Sequence, residues 1–183
     1  ALIKCIEESK MKPTFILLTH GHFDHLESLG TLTGLFSLEA FVHKNEKRLI
    51  HKASFYCQIF AKRTFQVPFK SFHYFDEFPN LLLGDYRIKS IKSPGHTKGG
   101  YCYLFDKFMF TGDTLFFEAV GSSDFPESNK NHLKNSIEKI ITGTPENTII
   151  FPGHGKPWKI KDAKSWLNDN REDYIQKELK VLL

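Results

Sequence analysis

The run Thr19-His20-Gly21-His22-Phe23-Asp24-His25 places four potential metal ligands within six residues. On a regular strand His20, His22 and Asp24 would share one face and His25 would point away, so the segment must turn inside the motif. Gly21 permits that turn at little steric cost. Imidazoles packed this closely repel one another when the histidines are charged. A divalent cation resolves the conflict, because it binds neutral His and ionised Asp. Three more runs each offer one such side chain: Ser93-Pro94-Gly95-His96-Thr97, Thr111-Gly112-Asp113-Thr114 and Phe151-Pro152-Gly153-His154-Gly155. Taken singly, His96 in a Pro-Gly turn and Asp113 after a glycine read as turn residues. Taken together, they repeat one design, a ligating side chain at the end of a strand, which is how sites collect at the edge of an α/β domain. The seven side chains His20, His22, Asp24, His25, His96, Asp113 and His154 suffice for two metal ions sharing one bridge. Nitrogen and oxygen donors without a thiolate suit Zn2+, and also Fe or Mn. His43, His51, His73 and His132 lack such surroundings and are expected in surface or core roles.

The elements that must position these residues follow from apolar patterning. Phe15 to Thr19 predicts a buried strand that feeds into His20, after a helix over residues 2 to 10 and a turn at Lys12-Pro13. Glu27 to Leu38 predicts a helix, Ala40 to His43 a strand, and Asn45 an N-cap for a helix reaching about Ala61. Strands are expected at Ser71 to Phe75, Leu81 to Leu83, Tyr86 to Lys92, Tyr101 to Phe105 and Phe108 to Thr111, with a hairpin tip at Asp106-Lys107. Asn129 or Asn131 opens a helix to about Ile141, Thr148 to Phe151 delivers His154, and a last helix covers roughly Asp162 to Leu182. Strands in runs, with helices between and after them, define a layered α/β or α+β fold.

Composition agrees with a single domain over residues 1–183. Of the 183 residues, 40% are hydrophobic and 25% charged, and 18 are Phe, which suits a sheet-based core. The net charge of +4 is mild. Its densest stretches, Lys44 to Lys52 and Lys156 to Lys164, are broken by apolar residues and read as solvated helix faces, so no nucleic-acid partner is expected. No apolar run approaches the ~20 residues that cross a bilayer, so no membrane partner is expected either. Cys5, Cys57 and Cys102 are odd in number and form no CxxC pair, which points to a reducing, cytoplasmic setting, with Cys102 a small buried hydrophobe. The oligomeric state is left open.

THGHFDH, the His of SPGHT, the Asp of TGDTLF and the His of FPGHG resemble the metallo-β-lactamase superfamily in type, order and spacing, over about Phe15 to Gly155. The resemblance implies an αβ/βα sandwich. It implies His20, His22 and His96 on one metal, Asp24, His25 and His154 on the other, and Asp113 as the bridge. It further implies two Zn2+ ions and metal-assisted hydrolysis, with Asp24 or Asp113 also orienting the nucleophile or handling its proton. Gly112 to Pro126 and the FPGHG ending look most like the glyoxalase II branch, whose members hydrolyse glutathione thioesters. The expected substrate is therefore a small thioester such as an acylglutathione. Ser122 stands where the related pattern usually has Arg, Gly155-Lys156 replaces a Glu-Tyr ending, and no C-terminal helical glutathione-binding domain is expected. Only 19 residues precede the first ligand, so part of the N-terminal sheet is expected to be missing. Competing readings are a hydrolase of another ester, lactone or amide, a persulfide-dioxygenase-like iron oxygenase using His20, His96 and Asp113, and an inactive truncated protein. A flavodiiron role is disfavoured by His22, where that branch carries Glu. Tyr101, Lys98 and Lys156 are expected to be structural or solvent-exposed.

Overall fold

Short apolar segments become strands, and the amphipathic stretches between them become helices, in the computed structural model, which describes residues 2–170 and 173–178. They fall into two compact units, divided between Asp76 and Glu77.

The first unit holds α1 (Leu2–Ser9), β1 (Ile16–Leu17), α2 (Leu29–Phe36), β2 (Ala40–His43), α3 (Lys47–Tyr56) and β3 (Phe72–Phe75). Its sheet has the order β1-β2-β3, all parallel, with Ile16 opposite Ala40 and His43 opposite Phe75. Parallel neighbours need crossovers, and α2 and α3 supply them. Leu18, Leu26, Ala40, Val42, Ile50 and Ala53 are among the side chains that form its core. Asn45 does not cap α3 as expected. Lys44–Glu46 form a 3-10 turn ahead of the helix, and the Asn45 backbone N–H donates to His43 Nδ1 at 3.3 Å. Past Tyr56 the helix widens into a π-turn over Cys57–Ala61 and stops at Lys62 in the left-handed region.

The second unit begins with the hairpin β4 (Leu82–Leu83) and β5 (Tyr86–Arg87), followed by β6 (Lys89–Lys92), β7 (Tyr101–Phe105), β8 (Phe108–Gly112), β9 (Leu115–Phe116) and β10 (Ala119–Val120). Then come α4 (Lys130–Gly143), β11 (Ile149–Pro152), β12 (Trp158–Lys159) and α5 (Ile160–Asp169). The expected single strand Tyr86 to Lys92 is interrupted at Ile88, whose backbone N–H bonds to Leu81 O. The main sheet is mixed, in the order β12-β11-β8-β7-β6, and only β8 and β11 pair in parallel. Strand alternation turns Met109 and Ile150 to the face covered by Leu133, Ile137 and Ile140 of α4 and by Ile160, Ala163 and Leu167 of α5. Cys102 lies in the same core, and burial pushes its thiol up to about 11, so it is a packing residue without ready nucleophilic character. Asn129 accepts the His132 N–H and caps α4. The final helix ends at Asp169, well short of Leu182: the Asn170 side chain donates to Trp166 O at 2.7 Å, and the chain then makes a 3-10 turn at Tyr174–Gln176. Residues 171–172 and 179–182 of that expected helix lie outside the described residues. Among the described residues no helix is long and apolar enough to cross a membrane.

Candidate metal centre

In the first unit the candidate ligand run sits at the carboxyl end of β1. Leu18 N–H still bonds to Phe41 O of β2 at 3.0 Å, and beyond it the chain leaves the sheet. Phe23–His25 make a 3-10 turn, which is the change of direction the motif required. His20 and His22 are 2% and 3% exposed. Their rings meet edge-on at a centroid distance of 4.8 Å, and His20 lies 4.2 Å from the His25 ring. Thr19 Oγ1 is 3.1 Å from His20 Nδ1, and Asp24 Oδ2 is 3.5 Å from His25 Nε2. Donor atoms of His20 and His22 lie within 4.8 Å of each other, as do those of Asp24 and His25. Lone pairs gathered this tightly favour a cation. The donor set therefore fits a divalent metal.

Gly21 is held from the neighbouring strand end. Its backbone N–H donates to Glu46 Oε2 at 2.8 Å, and Glu46 is 1% exposed. A Cβ at position 21 would stand 2.8 Å from Ile50 Cγ1 and 3.2 Å from Glu46 Oε2, so the loop lies flat against the start of α3. Glu46→Ala is expected to cost about 1–3 kcal/mol by orphaning a buried donor. Urea unfolding of the metal-free protein measures this. A midpoint equal to wild type would show that the bond does not hold the loop.

In the second unit three candidate ligands gather at one sheet edge. β7 is antiparallel to both β6 and β8, and β11 is parallel to β8, so β6, β8 and β11 run in one direction. Their carboxyl ends deliver His96, Asp113 and His154 to the same side. The register between β8 and β11 slips at Phe151/Pro152, where Pro152 pairs with Gly112, and Gly153 N–H then bonds to Gly112 O. Such an irregularity re-aims the chain as it leaves the sheet. The turn carrying His96 is stitched to the start of α4 by Asn129 N–H to Gly95 O, Ser128 Oγ to His96 O and Ser136 Oγ to Pro94 O.

His96 Nδ1 lies 2.8 Å from the Ser122 carbonyl. A carbonyl only accepts, so Nδ1 carries the proton and the lone pair is on Nε2. That Nε2 is 3.7 Å from Asp113 Oδ2, and His154 Nε2 is 3.6 Å from the same oxygen. These separations exceed a hydrogen bond and come close to the spacing of neighbouring ligands about one ion, roughly 3.3 Å for tetrahedral bonds of 2.0–2.1 Å. Here too the residues fit a metal. Gly121 passes so close that a Cβ there would stand 1.7 Å from Asp113 O and 3.1 Å from His96 Nδ1.

The seven residues are divided between the two units, His20, His22, Asp24 and His25 in the first and His96, Asp113 and His154 in the second. His51, His73 and His132 are exposed, and His43 is buried beside Phe75. Glu46 and the Ser122 carbonyl escaped the sequence reading. Their partners are 25 and 26 residues away, and a backbone acceptor leaves no trace in residue type.

The model of the metallo-beta-lactamase superfamily matches residues 5–154, and the chain belongs to that superfamily, with its α/β fold of helices and mixed sheets. It is 30% identical over 139 residues to the probable polyketide biosynthesis zinc-dependent hydrolase PksB of Bacillus subtilis strain 168. That match takes in 76% of this chain and 55% of PksB, so the chain spans little more than half of that relative's length. Among solved structures, the BLEG-1 B3 metallo-beta-lactamase superposes with a TM-score of 0.82 at 28% identity, covering 90% of this chain and 80% of that one. TTHA1623 in a di-iron-bound form gives 0.76 at 25% identity, covering 87% and 79%.

Proposed function

We propose that the chain is a dinuclear metallohydrolase that cleaves a small thioester of the acylglutathione class. His20, His22 and His96 would hold one ion, Asp24, His25 and His154 the other, and Asp113 would bridge them. One observation carries this reading: two imidazole Nε2 atoms face a single Asp113 oxygen at 3.6 and 3.7 Å, one of them in the tautomer that ligation needs. When bound, the ions supply hydroxide at neutral pH and polarise a carbonyl. Asp24 and Asp113 orient the attacking water, and Asp24 takes its proton. A new C–O bond forms, the C–S bond breaks, and the proton passes to the sulfur, so a carboxylic acid and a thiol result. A thiolate leaves readily, so no dedicated general acid is required. Zinc is the metal we favour, from the donor set and from the zinc-dependent relative, with iron or manganese accommodated by the same donors. The reducing cytoplasm is the setting we infer, because Cys5, Cys57 and Cys102 are all thiols.

The test is elemental analysis of protein purified without added metal, followed by a panel of thioesters, esters, lactones and amides. About two zinc ions per chain and preferential thioester cleavage are expected. Cleavage of a lactone or amide instead would overturn the substrate class and keep the hydrolase. One iron per chain with oxygen uptake would replace hydrolysis by oxygenation. Failure to take up metal after reconstitution would sink the enzymatic reading.

A further inference from the structure

Ser122, one of the positions at which the chain departs from the glyoxalase II-like pattern, is engaged by a residue from far along the chain. Glu178 accepts from Ser122 Oγ at 3.0 Å, from Ser123 N–H at 3.0 Å and from Ser123 Oγ at 2.5 Å. Three donors on one carboxylate make a charge-assisted clamp, stronger than neutral hydrogen bonds. The clamp is anchored on its own side. Val120 N–H bonds to Lys177 O at 3.0 Å, and Val120 and Glu178 form a parallel bridge beside β10. Ser122 Oγ also accepts the Asp124 N–H at 3.2 Å, which closes the loop on itself.

The clamped peptide is the one that orients His96. Its carbonyl is the acceptor for His96 Nδ1, and that bond sets the lone pair of Nε2 toward Asp113. On the other side Gly121 is pressed against Asp113 O, so the loop has no room to slide inward. The position of the Ser122 carbonyl is thus determined by Asp113 within and by Glu178 without.

We propose that Glu178 is a positioning residue for the metal centre, acting through the Ser122–Ser123 peptide to hold His96 in its ligating tautomer. The proposal rests on the metallohydrolase reading for its effect on metal, and on geometry alone for its effect on His96. Outer-shell partners of a ligating histidine typically contribute 10–100-fold to metal affinity.

The experiment compares wild type, Glu178→Ala, Glu178→Gln and Gln176→Ala, the last an exposed change in the same segment. Zinc affinity is measured by competition with a chromogenic chelator. The His96 ring nitrogens are followed by 15N NMR in the metal-free protein. Glu178→Ala is expected to bind zinc about tenfold more weakly and to lose the single Nδ1-protonated form of His96. Glu178→Gln keeps one acceptor oxygen and should fall between, and it carries the comparison if the alanine variant does not fold. Gln176→Ala should match wild type. Wild-type affinity and unchanged His96 signals in Glu178→Ala would overturn the proposal, as would equal losses in Gln176→Ala, which would mark a general packing effect. If wild type itself takes up no zinc, the metallohydrolase reading fails, and the His96 signals still decide the role of Glu178.

Discussion

Asp113→Asn is expected to remove at least half of the bound metal and to lower kcat/KM by more than about 100-fold. Losing a partner of a ligand already costs 10–100-fold, and in the proposed centre Asp113 would touch the ion itself. Its Oδ2 is the one oxygen that both His96 and His154 face, at 3.7 and 3.6 Å, and the side chain is 4% exposed. Asparagine preserves the shape and deletes the negative charge, so the variant should still unfold cooperatively without metal while failing to retain two ions. Elemental analysis and steady-state kinetics on the substrate identified by the panel read both effects. Wild-type metal content would show instead that Asp113 only closes the turn after β8, the role its sequence surroundings alone would assign.

Gly95→Ala is expected to destabilise the fold by more than about 3 kcal/mol, which for a chain of this size is a fall of roughly 6–12 °C in Tm. Position 95 has φ +142°, a conformation essentially confined to glycine, and an added Cβ would stand 2.2 Å from Leu133 Cα and N. Those atoms are the backbone of α4, so no side-chain rotation relieves the overlap. The turn would lift off the helix and take His96 with it. Gly34→Ala is the matched control. Position 34 lies inside α2 with nothing within 4 Å of an added Cβ, and alanine there should stabilise by up to about 1 kcal/mol. A thermal melt of each variant checks the pair, and similar midpoints for both would show that the close approach at Gly95 is not limiting.

Much of this arrangement is written locally. Ala40–His43 and Tyr101–Phe105 are strands over the very residues expected, because each is a short apolar or aromatic run between turn-formers. The four candidate ligand runs are legible for the same reason: each comes just after such a strand-like run. What failed to show was decided by distant partners or by side chains in unusual roles. His43, read as a strand residue, supplies the acceptor assigned to Asn45. The last helix stops where Asn170 turns back onto Trp166 O, although the apolar pattern continues beyond it. The two-residue ribbon of β9 and β10 carries too few residues to display a period. Glu178 is 56 residues from Ser122, and local pattern carries no information at that range.

The order of strands in the main sheet has a kinetic consequence. β6, β7 and β8 form a meander in which each strand pairs with its sequence neighbour, and the tight loop at Asp106-Lys107 closes within a few residues. β11 must wait for α4 to cross over before it can pair with β8, which is a larger loop and a later event. His96 and Asp113 therefore come within reach of each other while the sheet is still growing, and His154 joins them last. A metal ion present during refolding would first meet a partial ligand set, and its capture there would favour the docking of β11.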